Sequence, residues 1–259
     1  MIKSIKTIMR QDREPYRVPR RVQDVIPIQC VWPDGIFKVG IKFSKTYRFT
    51  DINYKVASRE DKETMFLAYS ELLNGLDSAA TTKLTICNRR QSQADFEQSV
   101  LMSMRGDGLD KYRQEYNQML IDKATGANGI IQEKLVTVTV YKRDIEDARA
   151  YFTRIGADLT ARFAVLGSKC VELDAADRLR ILHDFYRAGD EGSFHFDMAD
   201  MARKGHDFKD YICPDGIEKH SDYLKLGDRY CRVLFLKDYA NYIQDEIVAD
   251  LTDLNRNMM

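Results

Sequence analysis

The chain has 259 residues, of which 44% are hydrophobic and 31% charged, so it is long enough for a sizeable core and too apolar for intrinsic disorder. Forty basic residues balance forty acidic ones, which excludes an overall charge that would draw the protein onto nucleic acid or an anionic membrane. Five cysteines, far apart and never in a C-x-x-C pair, argue against a disulfide framework or a zinc knuckle. Since no export signal and no apolar stretch of spanning length occurs, we expect a cytoplasmic chain.

The first 21 residues form a basic arm, in which seven lysines and arginines face only Asp12 and Glu14. Such an arm could contact phosphates or lipid headgroups weakly, in a salt-sensitive way. The candidates for such contacts are Arg10, Arg13, Arg17, Arg20 and Arg21. A solvated tail is the alternative, because a charge run usually has no ligand.

The next elements are a hairpin, a helix and a strand. Strand-like runs at 26–32 and 36–43 flank the turn Pro33-Asp34-Gly35. Ser58 then starts a helix through a capping-box pattern, and residues 82–88 alternate as a strand. Two helical stripes accompany them, one of Met65, Tyr69, Leu72 and Leu76 and one of Leu109, Tyr112, Tyr116 and Met119.

The clearest pattern lies in the middle of the chain. Valines alternate with threonines over 135–141, which predicts a strand. Asp144 then caps a long helix that ends near Gly167, with the stripe Ile145, Ala148, Phe152, Ile155, Leu159, Phe163 and Leu166. The remaining predicted elements are a strand at 169–173, a helix capped by Asp174, a loop at 189–221, a buried strand at 230–236 and a closing helix at 239–254.

This order of elements predicts an α+β fold, in which amphipathic helices pack on a mixed sheet preceded by a small N-terminal β-hairpin unit. The expected organisation is a basic arm at 1–21, a small β unit at 22–56, an α+β domain at 57–254 and the start of a connection at 255–259.

Motifs for catalysis are weak. A P-loop needs G-x-x-x-x-G-K-S/T, and the nearest string, Gly167-Ser168-Lys169, fits a helix C-cap better. Gly106-Asp107-Gly108 fits a turn that enters a helix. The four histidines have no metal-ligand spacing, although His195 lies between two aromatic residues. A small metal-dependent hydrolase around His195 or His206 therefore remains an alternative.

Several strings together resemble the N-terminal domain of the conjugative-transfer (type IV secretion) ATPases carried by integrative elements of Gram-positive bacteria. The resemblance covers residues from about 22 to 259. The strings are VQDVIPIQCVWPDGIFKVG (22–40), KFSKTYRFTDINYKVASREDK (42–62), TICNRRQSQADFEQS (85–99), RGDGLDKYRQEYN (105–117), RLRILHDFYR (178–187), KGHDFKDYICPD (204–215) and DRYCRVLFL (228–236).

The resemblance implies a docking and assembly role at the cytoplasmic face of the membrane, ahead of a RecA-like motor domain. Because the chain stops at DLTDLNRNMM (250–259), we expect the Walker motifs, ATP and Mg²⁺ to belong to that motor domain and no catalytic residue, metal or cofactor site in this chain. The expected partners are the motor domain, other components of the conjugation machine and, in the full-length protein, further copies.

The closing helix is the predicted partner-facing surface, because its apolar residues continue almost to the end of the chain. Its candidate residues are Tyr242, Ile243, Ile247, Leu251 and Leu254. An independent DNA-binding module that uses the basic arm is the alternative function from a different class.

Overall fold

The computed structural model describes residues 19–52, 54, 56–90, 101–126, 130–235, 237–238, 242, 247, 250 and 252, with the backbone alone at 90, 123–126 and 130. The strands are β1 Cys30–Val31, β2 Phe37–Val39, β3 Lys42–Phe49, β4 Thr81–Arg90, β5 Ile130–Tyr141, β6 Cys170–Glu172, β7 Ile217–Lys219, β8 Leu224–Leu226 and β9 Arg229–Cys231. The helices are α1 Arg59–Asn74, α2 Asp110–Gly126, α3 Ile145–Val165, α4 Ala175–Tyr186 and α5 Met198–Lys204, with 3-10 turns at Val22–Val25, Glu191–Ser193 and Phe208–Tyr211. The predicted α+β class is confirmed.

A six-stranded antiparallel sheet forms the centre of the fold. Its order is β1-β2-β3-β5-β4, and β6 pairs with the second half of β3. The hairpin predicted around Pro33-Asp34-Gly35 is therefore present, and it extends the same sheet as the later strands. Strands β7, β8 and β9 form a separate three-stranded sheet.

Helix α3 covers one face of the large sheet, as its regular stripe predicts. Asp144 caps it by accepting a hydrogen bond from the Asp147 amide at 2.9 Å. Leu159 is 1% exposed, and the hydroxyl of Tyr47 on β3 donates to the Phe152 carbonyl at 3.2 Å. The helix buries Ala148, Tyr151, Phe152, Ile155, Gly156, Leu159 and Phe163.

Helix α4 covers the opposite face of the sheet. Strand side chains alternate between faces, so Ser44 and Tyr47 point to opposite sides. Arg178 of α4 donates through Nη1 to the carbonyl oxygens of Gly35 and Ser44, each at 2.7 Å. Its guanidinium lies 3.8 Å from the centroid of the Phe37 ring, and desolvation lowers the pKa of Arg178. The sheet is thus enclosed between two helical layers.

Gly35 is required both by its backbone conformation and by a close contact with Leu173. Its φ of 76° lies in the left-handed region, and a Cβ atom built at this position would overlap the carbonyl oxygen of Leu173. Gly40 also has a positive φ, of 60°, but open space surrounds its missing Cβ. Gly40 breaks the predicted strand at 36–43 into β2 and β3.

The prediction of a buried strand at 230–236 is wrong. β9 ends at Cys231, and the side chains that follow are 72–82% exposed, namely Val233, Leu234 and Phe235. β9 is an edge strand of the small sheet, and the residues that follow it do not join the large sheet. Their side chains therefore remain in contact with solvent. The predicted loop at 189–221 also contains α5 and β7.

Candidate partner-docking surface

The basic arm is described only at its end. Arg20 and Arg21 are exposed, and their backbone amides donate to Asp24 Oδ2 at 3.2 and 3.1 Å. These bonds tie the end of the arm to the first 3-10 turn. The other three candidates, Arg10, Arg13 and Arg17, lie outside the described residues. An anion-contacting arm therefore stays a prediction.

The closing helix is also described only in part. Tyr242 is 78% exposed and Ile247 is 50% exposed, whereas Ile243, Leu251 and Leu254 lie outside the described residues. The carbonyl of Thr252 accepts hydrogen bonds from Asn88 Nδ2 at 2.7 Å and from Gln132 Nε2 at 2.9 Å. Thr252 thus lies against β4 and β5, while the partner-facing role of the segment stays a prediction.

An apolar groove of about 840 Å³ lies between α1, α3 and the sheet face that carries Val136. We call it the α1 groove. Leu84, Ile86 and Val136 form its floor, because alternation puts these residues of β4 and β5 on one face. Its walls include Met65, Phe66, Tyr69, Leu72, Leu73 and Leu76 on the α1 side and Leu159, Phe163 and Leu166 on the α3 side.

The groove stays open because α1 carries more apolar residues than it buries. Leu72 is 4% exposed, whereas Phe66, Tyr69 and Leu73 are 66%, 45% and 46% exposed. β4 is an edge strand, and its Leu84 is 55% exposed. Apolar side chains from two elements thus face solvent in one continuous concave surface, which is typical of an interaction site.

Three charged residues, Asp51, Lys62 and Lys134, are among those that line the groove. Lys134 pairs with Asp51, and Lys62 Nζ lies 5.2 Å from the centroid of the Tyr54 ring. The mostly apolar lining thus also carries charges of both signs, which suits a guest with both apolar and polar sides.

The sequence pattern did not reveal this groove. The predicted stripe on α1 was Met65, Tyr69, Leu72 and Leu76. The signal that could have found the groove is the additional apolar residues Phe66 and Leu73, which widen the stripe beyond what one buried face needs.

The stripe predicted on α2 is present but exposed. We call Leu109, Tyr112, Tyr116 and Met119 the α2 stripe, and their exposed fractions are 57%, 66%, 46% and 42%. Met102 and Met104, in the loop that precedes α2, are each 52% exposed. This helix therefore presents a second apolar surface.

The turn that enters α2 confirms the reading of Gly106-Asp107-Gly108. Asp110 accepts hydrogen bonds from the amides of Arg105 at 3.0 Å and Gly106 at 2.7 Å. Arg113 pairs with both Asp107 and Asp110. The Arg113 guanidinium lowers the pKa of Asp107, while the Arg105 amide, followed by Arg113, lowers the pKa of Asp110. The loop is thus fixed by its own residues.

The histidines singled out in the sequence lie in exposed places. His195 Nδ1 lies 3.1 Å from the Ser193 carbonyl, beside a shallow depression that includes Asp200 and Tyr211. His206 Nδ1 lies 3.7 Å from Asp210 Oδ2. Among the residues that the structure describes, no group of three or more His, Cys, Asp or Glu side chains could hold a metal ion.

His183, another of the four histidines, is 2% exposed and contacts two polar groups. Its Nδ1 lies 3.3 Å from Asp184 Oδ1, and its Nε2 lies 3.4 Å from Ser193 Oγ. The Ser193 hydroxyl also lies 2.9 Å from the Asp190 carbonyl, to which it can donate. These contacts link α4 to the turn at Glu191–Ser193.

No protein-family model matches the chain, and the search of curated proteins finds no significant match. Within the described ranges, no helix combines the length and apolar character that crossing a membrane requires.

Proposed function

We propose that this chain is a non-catalytic docking and assembly domain of a conjugative-transfer ATPase, acting at the inner face of the cell membrane. Two independent features support the proposal. One is the likeness of the strings quoted above, which runs over nearly the whole sequence. The other, which carries the proposal, is the α1 groove, because a groove of this volume with apolar walls is suited to bind a partner.

We propose an amphipathic helix from another component of the transfer machine as the occupant of the groove. Such a helix presents apolar side chains at i, i+3, i+4 and i+7, which suit a floor of leucine, isoleucine and valine. Its polar side would meet Lys62, Lys134 and Asp51, which supply charges of both signs. The groove thus matches the two sides of one helix.

A pair of adjacent residues on α1 provides a sharp test. Phe66 lines the groove and is 66% exposed, whereas Leu67 lies outside its lining and is 64% exposed. The chain should be co-expressed with the motor domain and the membrane components and then recovered through an affinity tag on the chain. Phe66→Asp should reduce the recovered partner about tenfold or more, as the loss of an aromatic anchor does.

Leu67→Asp is the matched control, because it introduces the same charge at the same exposure one residue away. It should leave recovery unchanged, and circular dichroism should show both variants to be folded. Equal recovery by folded Phe66→Asp and wild type would remove the α1 groove from the docking surface.

The same proposal assigns ATP hydrolysis to the motor domain. The sequence has no P-loop string, so we expect the purified chain neither to bind nor to hydrolyse ATP at millimolar nucleotide. Phosphate release in a steady-state assay measures turnover. Turnover that a substitution within this chain removes would overturn the non-catalytic role.

A further inference from the structure

The α2 stripe is bordered by polar and charged residues along one edge. On the helix, Lys111, Glu115, Gln118 and Asp122 recur at spacings of four, three and four, which places them in one row beside Tyr112, Tyr116 and Met119. All four are exposed, and Gln118 Nε2 donates to Asp122 Oδ1 at 2.9 Å. The other edge is occupied by the chain itself, since Asn117 bonds to the backbone of Met102.

The charges of this polar row are complementary to those of a second copy when the two α2 helices pack in antiparallel orientation. The basic residue, Lys111, lies in the first turn of the helix, and Asp122 lies in the last turns. When two copies pack stripe to stripe in antiparallel fashion, a two-fold axis perpendicular to the helices brings the two polar rows to the same side. Lys111 of each copy then lies opposite Asp122 of the other, which gives two attractive pairs.

The parallel orientation gives no such pairs. Its two-fold axis runs along the helices and puts the two polar rows on opposite sides of the interface, so Lys111 of one copy does not meet Asp122 of the other. A depression of about 520 Å³ on α2, lined by Glu115, Gln118, Met119 and Asp122, offers an acidic site for the lysine of a second copy. Charge and shape therefore favour the same antiparallel arrangement.

We propose that α2 is a self-association surface, which binds a second copy of this chain as an antiparallel two-fold pair. Tyrosine side chains bury about 150–250 Å² each when covered, so the exposed parts of the α2 stripe amount to about 400 Å² per copy. Together with the polar row, the interface buries about 1,000 Å² in total, which is the size of a weak, reversible contact. The α2 stripe shares no residue with the lining of the α1 groove.

Sedimentation equilibrium of the purified 259-residue chain from about 10 to 500 μM tests it, because contacts of this size dissociate in the micromolar to millimolar range. We expect a reversible monomer–dimer equilibrium. Tyr116→Asp should weaken it about 30-fold or more, as removal of a central aromatic contact does. Leu67→Asp, a matched exposed substitution on α1, should leave it unchanged.

A charge exchange tests the orientation. Lys111→Asp and Asp122→Lys should each weaken the dimer about tenfold, because each turns two attractive pairs into repulsive ones. The double variant Lys111→Asp/Asp122→Lys should restore the wild-type affinity. Nonspecific association of apolar surfaces would not respond in this way to the exchange of the two charges. A chain that stays monomeric at 500 μM, or a dimer indifferent to all these changes, would overturn the proposal. These results do not involve any transfer component, so they stand apart from the test of the docking groove.

Discussion

Truncation of Leu159 to alanine probes the contact between α3 and the large sheet. Leu159 is 1% exposed and belongs to the same apolar cluster as Val136 and Phe152. Replacing a buried leucine by alanine typically lowers the free energy of unfolding by about 2–5 kcal/mol. Leu159 also lines the α1 groove, where neighbouring side chains can move into the vacated space. We therefore expect a loss of about 2–3 kcal/mol, in the lower half of that range.

Urea denaturation followed by circular dichroism measures this loss directly. For a chain of this size, about 2–3 kcal/mol corresponds to a fall of about 4–12 °C in the melting temperature. Val165→Ala is the control on the same helix, since Val165 is 77% exposed and should change stability by less than about 0.5 kcal/mol. Leu159→Ala and Val165→Ala with equal unfolding midpoints would refute the packing of this helix face against the sheet.

Three further predictions concern the turn at Gly35, the thiols and the ion pair in the loop that enters α2. Gly35→Ala should lose more than about 3 kcal/mol and Gly40→Ala about 1 kcal/mol, because only Gly35 meets a backbone carbonyl; equal midpoints in urea would contradict this. At about pH 8, a thiol reagent should modify exposed Cys30 first, and simultaneous reaction of all thiols in the native protein would disprove it. The other thiols react later because burial raises the pKa of Cys87, Cys170 and Cys213 to about 11. Arg113→Gln should raise the pKa of Asp107 in a carbon-13 NMR titration, whereas an unchanged pKa would rule out the pair in solution. Since the pair holds the folded pKa of Asp107 below its unfolded value, its stabilisation is present above about pH 4 and is lost as pH falls through the folded value.

Elements with a complete local pattern could be predicted from the sequence. β5 and α3 are the best example, because alternating valines and threonines define one strand face and an uninterrupted helical stripe follows Asp144. The end of α3 was also predictable, since Gly167 takes the left-handed conformation that terminates a helix, with a φ of 78°. In these elements the local pattern and the tertiary packing agree.

The predictions that depended on packing partners were less successful. The run around Leu234 is as apolar as a buried strand, but hydrophobicity does not say which surface will cover it. The α2 stripe has helical spacing, yet spacing is the same for a core face and for an exposed one. For the α1 groove, the sequence offers only the additional apolar residues of α1, because the groove itself is lined by residues as distant along the chain as Phe66 and Phe163.

The long hairpin of β4 and β5 has a consequence for how this domain can vary. The two strands pair up to Arg90 and Ile130, so the ladder is complete before the chain enters residues 91–129. A two-residue Asn-Gly turn, which suits the twist of a hairpin, could join these ends directly. Such a shortened gene would keep the sheet, α1 and α3 while discarding α2 and its entry loop. Residues 91–129 are thus inserted between two paired strand ends, where the chain could be shortened or exchanged without rebuilding the sheet.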